Sequence, residues 1–218
     1  MPQRRTEPYI WVTWLSKLLV GDTSCEWAAW FKAHFRDFRK VPSDFDTFSW
    51  QIAHTGLLSQ MRADLEAEGY TVTTEQQNLF RLRGSSGITV GGKPDLIAVS
   101  GESGAIFEVK TGEPRAADAA QVLIYMFAVP LAFPPYRHIE FRGEVAYRDH
   151  RVPVPSTAVD DAFKTGLVEI IRRVGAETPA RKVPSAAECG FCEITSEDCP
   201  ERIAADAAAE GQGPVPDF

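Results

Sequence analysis

Apolar and polar positions along this chain fall into two rhythms, short β-branched runs and longer stretches of helical spacing. Trp11 to Leu19 predicts a short helix, or a strand leading into one, closed by Gly21-Asp22. Thr23 or Ser24 can cap a second helix running from Cys25 to about Phe38, where Pro42 stops it. The aromatics at 27, 30, 31, 35 and 38 give that helix a broad apolar face, better suited to core packing than to base stacking. Ser43 is placed to cap the longest helix, 44–68, which Gly69 ends. Its predicted inward stripe is Phe45, Phe48, Ile52, Met61 and Leu65, and His54 lies off it beside Trp50, Leu57, Leu58 and Met61. A lone histidine on such a face is ordinarily a satisfied, partly buried residue. Further on, 70–82 predicts one strand, 115–129 a helix terminated by Pro130, 138–155 a hairpin, and 158–174 a helix with Phe163, Leu167, Ile170 and Ile171 inward. The hairpin's apolar positions are Val145, Tyr147, Val152 and Val154. No internal repeat is visible. The fold class is mixed α/β, of the α+β kind.

The middle of the chain organises the rest. Gly92-Lys93-Pro94-Asp95 leads into Leu96-Ile97-Ala98-Val99; a Ser/Gly turn follows, then Ala105-Ile106-Phe107-Glu108-Val109-Lys110. This is a hairpin pattern. Residues two apart on a strand share a face, so Glu108 and Lys110 point the same way. With Ser100 opposite Ser103, Asp95 falls opposite Glu108; a slip of one residue would turn Asp95 to the other face. In the first register two carboxylates and an ammonium converge. Close carboxylates repel unless a cation lies between them, and hard oxygen ligands suit Mg²⁺ or Mn²⁺. A lysine beside such an ion can orient or activate a water, which is the chemistry of phosphodiester hydrolysis. The bland alternative is an exposed hairpin carrying scattered charges. The apolar run 96–99 favours a central strand buried on both faces, where charge is costly unless it has a use.

Composition changes this picture little. The chain has 218 residues, enough for one domain with a full core. No run approaches the roughly 18 apolar residues of a membrane span. Arg4-Arg5 before Tyr9 to Val20 has the outline of a signal peptide, but Ser16-Lys17 interrupts it and no small-x-small site follows. The expected location is cytoplasmic, with no membrane partner. The net charge of −7 argues at first against a nucleic-acid partner. Yet seven acidic residues and only Arg202 among the basic ones lie from Glu193 onward, so the preceding part carries only −1. A near-neutral body can still present a local basic groove.

Four cysteines remain: Cys25, then Cys189-x2-Cys192-x6-Cys199. Two disulfides are possible by count, but a C-x2-C motif in an intracellular chain more often means zinc or redox chemistry. One distant cysteine plus three suits zinc ribbons less well than two close pairs do, and zinc and [4Fe–4S] stay level on this evidence. Either would close a loop of about 165 residues and pin both ends of the chain together.

In order along the chain, His54, Gly92-x-Pro94-Asp95, Glu108-x-Lys110 and Gln121-x3-Tyr125, with one early and three late cysteines, resemble the RecB-like branch of the PD-(D/E)xK nucleases. The cysteines are similar to that branch's iron–sulfur subgroup, which includes the CRISPR-associated RecB-like exonucleases (the fourth Cas protein family) and the AddB nuclease domain. The likeness spans about Trp14 to Pro200. Each motif alone is weak; the set in order is specific, and the chain's size is closer to the stand-alone CRISPR-type enzymes. The resemblance implies a restriction-endonuclease-like core, a central mixed sheet flanked by helices. It implies His54, Asp95, Glu108 and the Val109 carbonyl as ligands of Mn²⁺ or Mg²⁺, and Lys110 as the group that positions water and stabilises phosphate charge. Gln121 and Tyr125 would support the lysine or the DNA strand, and Cys25, Cys189, Cys192 and Cys199 would hold a [4Fe–4S] cluster. One nuclease domain over 1–203 is expected, its core at 43–175 and its cluster clamp at 14–42 and 176–203, with an acidic, disordered tail at 204–218. The implied activity is a DNA exonuclease or endonuclease acting on single strands or overhangs. Its expected role is trimming prespacers in CRISPR adaptation beside the integrase proteins. A DNA-repair end-resection nuclease and a non-catalytic DNA- or integrase-binding module are the alternatives.

Overall fold

The computed structural model describes residues 1–203; the expected tail at 204–218 lies outside the described residues. The elements in order are β1 (Gln3–Arg4), β2 (Tyr9–Trp11), α1 (Val12–Leu19), α2 (Glu26–His34), β3 (Phe35–Arg36), α3 (Thr47–Ala67), β4 (Thr71–Thr74), β5 (Phe80–Arg83), β6 (Thr89–Gly92), β7 (Leu96–Ser100) and β8 (Ser103–Val109). After them come α4 (Ala116–Ala132), β9 (Glu140–Ala146), β10 (Arg151–Val154), α5 (Asp161–Gly175) and α6 (Ala186–Gly190). The chain is mixed α/β, as its patterning predicts. Its main sheet has five strands in the order β10-β9-β8-β7-β4. Within this sheet only β8 and β9 run parallel, and α4 is the crossover between them. A three-stranded sheet, β2-β6-β5, and the short β1-β3 pair complete the strands. Among the described residues no helix is long and apolar enough to cross a membrane.

Alternation along β7 and β8 builds a core on each face of the sheet. Ile97, Ile106 and Val145 join one cluster with Val122, Met126 and Val129 of α4 and Leu15 of α1. Leu96, Ala98, Phe107 and Val109 join a second with Leu58, Met61 and Leu65 of α3. Leu96, Ile97, Ile106, Phe107 and Val109 are all essentially inaccessible to solvent. Burying each such side chain contributes about 1.5–3 kcal/mol, which fixes the register of the hairpin firmly.

Several expected boundaries shift, each for a local reason. The second helix stops at His34, because Phe35 and Arg36 turn extended and pair with β1. α3 is capped by Asp46, whose carboxylate accepts from the Ser49 N–H at 3.0 Å, and not by Ser43. Its inner face is His54, Leu58, Met61 and Leu65, while Phe45, Phe48 and Ile52 are 61, 73 and 60% exposed. Three of the five residues of the expected stripe therefore face solvent. The single strand expected over 70–82 is two strands in different sheets, separated by a 3₁₀ turn, Glu75–Asn78, with a Thr74/Gln77 capping box. α4 runs two residues past Pro130 to Ala132, with the Phe133 N–H closing on Val129 at 3.0 Å. A proline in the last turn removes one bond, and the packing of Val129 and its neighbours outweighs that loss. The hairpin expected over 138–155 is β9–β10, although Val152 is partly exposed. The last long helix starts at Asp161, capped by the Asp160 side chain.

Candidate active site

β7 and β8 pair with Ser100 opposite Ser103 and Leu96 opposite Phe107. Carried one residue further, this register sets Asp95 against Glu108, as the first of the two sequence registers required. Glu108 has the strand parity of Ile106 and reaches Gln121 of α4, while Asp95, in the bend just before β7, reaches His54 of α3. Both are buried. Asp95 Oδ2 accepts from the Val109 N–H at 2.8 Å and lies 3.3 Å from His54 Nε2. Val109 thus contributes its amide to Asp95; its carbonyl, the ligand the resemblance implies, is a separate group of the same residue.

Glu108 is the electrostatic centre. Its Oε1 accepts from Lys110 Nζ at 2.9 Å and from Gln121 Nε2 at 2.7 Å. Its Oε2 is buried and has no hydrogen-bond partner. Burial first, and then the charge of Asp95, push the Glu108 carboxyl up to about 8, against the opposing pull of Lys110. His54 is raised, chiefly by its bond to Asp95. Burial pulls the Lys110 ammonium down, but Glu108, Asp118 and Asp95 outweigh it and the net shift is upward. Lys110 is therefore a cation held by two carboxylates, with Gln121 Oε1 accepting from it at 3.1 Å. Gln121 Nε2 also donates to the Tyr125 hydroxyl at 3.0 Å. Burial raises the Tyr125 phenol well above its ordinary value. Gln121 and Tyr125, four apart on α4, thus reach the strand carboxylate as one linked pair. A Cβ on Gly92 would lie 2.6 Å from the Phe80 ring and 2.8 Å from the Tyr125 ring, so glycine is required where this helix approaches β6.

Every expected side chain of this group, His54, Asp95, Glu108, Lys110, Gln121 and Tyr125, lines one cavity of about 860 Å³. Two supporting residues escaped the sequence reading. Asn78 is buried and donates to the backbone carbonyls of Thr73 and Pro94, each at 3.0 Å, fixing the segment that carries Asp95. Asp118 accepts from the Tyr147 hydroxyl at 2.9 Å and lies 3.8 Å from Lys110 Nζ. Its position three residues before Gln121, on the same helix face, was the available signal.

The cysteines lie elsewhere. Cys25, Cys189, Cys192 and Cys199 are free thiols that line a second cavity of about 400 Å³. The Val183 N–H donates to Cys25 Sγ at 3.5 Å and the Ile203 N–H to Cys189 Sγ at 3.4 Å. The Glu188 carboxylate accepts from the Ser24 and Cys25 amides, and Arg202 donates to the Cys192 and Ile194 carbonyls. Trp27, Trp30 and Phe31 of α2 pack with Ile194 and Cys199 in a separate small core, so these aromatics are core residues as expected. Burial raises the Cys199 thiol. Among the described residues no three His, Cys, Asp or Glu side chains stand ready-formed as a metal site, in either cavity. What the first cavity offers a cation is a buried, unpartnered carboxylate oxygen beside a second carboxylate. What the second offers is four thiols lining one cavity, two of them receiving backbone N–H groups.

No family model matches the chain, and neither does any curated protein. Fifteen chains of solved structures do match. One of them, described as "Crystal structure of SSO0001", has a TM-score of 0.51 and 18% identity, over 93% of this chain and 90% of that one. At that identity the likeness is one of fold alone.

Proposed function

We propose that this protein is a metal-dependent deoxyribonuclease of the PD-(D/E)xK, RecB-like kind. The observation that carries the reading is the desolvated Glu108, with one oxygen bonded to Lys110 and Gln121 and the other left without a partner beside Asp95. Burial makes the ionised form of this carboxyl costly, and a divalent cation is the partner that would favour it. His54, Asp95 and Glu108 would hold Mn²⁺ or Mg²⁺, which when bound supplies Lewis-acid polarisation of the phosphate and lowers the pKa of water. Lys110, kept protonated by Glu108 and Asp118, orients the attacking water and offsets negative charge growing on the phosphate. Gln121 fixes Lys110 and Glu108 relative to each other, and Tyr125 anchors Gln121. Asn78 and the Val109 amide keep Asp95 from rotating away.

The four cysteines fit a [4Fe–4S] cluster. Thiolate ligation with backbone N–H donors to sulfur is the chemistry such clusters use, and a polynuclear cluster spaces its thiolates more widely than a single ion does. Its place is structural, tying α2 to the segment after α5, away from the carboxylates. The sequence resemblance supports CRISPR prespacer trimming beside an integrase as the setting, which co-purification with such an integrase would test.

The decisive measurement is digestion of end-labelled DNA by anaerobically purified protein with Mn²⁺. Wild type should cleave, and Asp95→Ala should fall to the no-enzyme background with its circular dichroism unchanged. Cleavage retained by Asp95→Ala would remove the site assignment.

A further inference from the structure

The start of α3 and the segment just before it carry large aromatics where a globular core has no use for them. Phe45 and Trp50 are 61 and 41% exposed, and both line the cavity that holds Asp95 and Glu108. The Trp50 ring stacks on His54, with centroids 5.0 Å apart and planes 26° apart, and Phe45 lies 6.3 Å from Trp50 at a tilt of 56°. Lys93, Lys110 and Arg148 line the same cavity. Asp44, Asp46 and Glu75 line it too, with Lys93 3.6 Å from Glu75 and Lys110 2.9 Å from Glu108, so the cavity sets exposed aromatic surface beside cations interleaved with carboxylates. That combination matches a strand whose phosphates meet cations while its bases lie on π-surfaces. A paired duplex keeps its base faces covered by neighbouring pairs and cannot use the aromatics this way.

We propose that Trp50, with Phe45 beside it, stacks on an unpaired base of the nucleotide next to the scissile phosphate, so that one helix carries both the His54 ligand and the base platform. This rests on the nuclease reading and assigns to that site the residue that selects unstacked substrate. Since Trp50 also packs on His54, a seated base presses on a side chain in contact with Asp95. Base occupancy and the alignment of His54 are then linked through a single ring. Phe48 and Ile52 are equally exposed but lie outside this cavity, beside Gln51, Thr55 and Gly56, and serve as the internal control.

The test uses full-length protein with Mn²⁺ and two end-labelled single-stranded oligonucleotides of one sequence, the second with an abasic nucleotide beside the mapped cleavage position. Wild-type protein should bind and cut the abasic strand about tenfold less well, the usual size of one base–aromatic stack. Trp50→Ala should lose about the same factor on the normal strand and nothing more on the abasic one. Trp50→Phe should recover most of the loss, and Phe48→Ala should match wild type. Equal handling of both strands by wild type overturns the proposal without any variant needing to fold. So does an equal loss in Phe48→Ala. If Trp50→Ala handles the normal strand as wild type does, the proposal also falls, and the exposed aromatics belong to a protein partner. If wild type cuts no DNA at all, it is the nuclease reading that fails.

Discussion

The two cavities of this protein are built by opposite means. The carboxylate cavity draws on regular elements: β7 and β8 set Asp95 and Glu108, α4 brings Gln121 and Tyr125, and α3 brings His54, each locked by packing on one face of the sheet or the other. The cysteine cavity draws on shorter elements, the eight-residue α1, nine-residue α2 and five-residue α6, and on the irregular segments around Cys192 and Cys199. Its small core stacks Trp27 on Phe31 and Phe31 on Phe35, with Lys182 over the Trp27 ring at 4.2 Å and the Lys40–Ile194 bridge at its edge. Rigid elements hold catalytic groups to fractions of an ångström without help from a cofactor. Irregular segments gain their order from whatever ties their side chains together. Chemistry and stability should therefore separate between the two ends of the molecule.

The largest effect that can break this contrast is at Lys110. Lys110→Ala should reduce turnover by about 10²–10³-fold while changing DNA affinity little, because the ammonium is committed to Glu108 and Asp118 rather than spread along a groove. Single-turnover cleavage beside equilibrium binding checks it, and a parallel loss of both would make Lys110 an ordinary phosphate contact. At the other end, Cys25→Ser should do the reverse. Visible absorbance should be lost and the melting temperature should fall by about 5 °C or more, some 2 kcal/mol for a chain of this size. Activity measured well below the melting temperature should survive. A colourless wild type with stoichiometric zinc would keep the clamp and replace its metal.

The smallest effect sharpens the cleft alone. The Glu108 carboxyl, raised from 4.5 to about 8, holds a proton in the folded state that the unfolded chain releases. Between those pH values the native protein binds more protons than the unfolded one, so this group's contribution to stability declines as pH rises and levels off above 8. Glu108→Gln has no such dependence. In chelator-containing buffer the variant should match wild type near pH 4.5 and exceed it at pH 8 by about 1–3 kcal/mol, the cost of an unsatisfied buried group. Denaturant titrations across that range read the difference, and parallel curves would mean that Glu108 is not desolvated as described.

The hairpin was legible because its period is two and its turn short: once Ser100 faces Ser103, Asp95 must face Glu108. Gln121 and Tyr125 were legible because a helix places residues four apart on one face, and a short turn separates α4 from β8. α3 was misread for an equally physical reason. Phe45, Phe48 and Ile52 have the spacing of a core stripe, and periodicity reports that residues share a face without saying which face the sheet will cover. The two strands merged over 70–82 were misread because a 3₁₀ turn of Glu75-Gln76-Gln77-Asn78 has no glycine or proline to announce it.

By itself, then, the sequence determined the periods: where strands and helices lie, which carboxylates share a strand face, and that four cysteines stand at the two ends of the described chain. These follow from backbone geometry, which every segment obeys alone. Only the tertiary structure decided what each face meets. It turned His54 inward to Asp95 and left Phe45 and Trp50 at the mouth of the cleft. It placed Asp118 and Asn78 behind the charged pair and left one oxygen of Glu108 buried without a partner. Burial and desolvation depend on residues far apart in the chain, and no local pattern contains them.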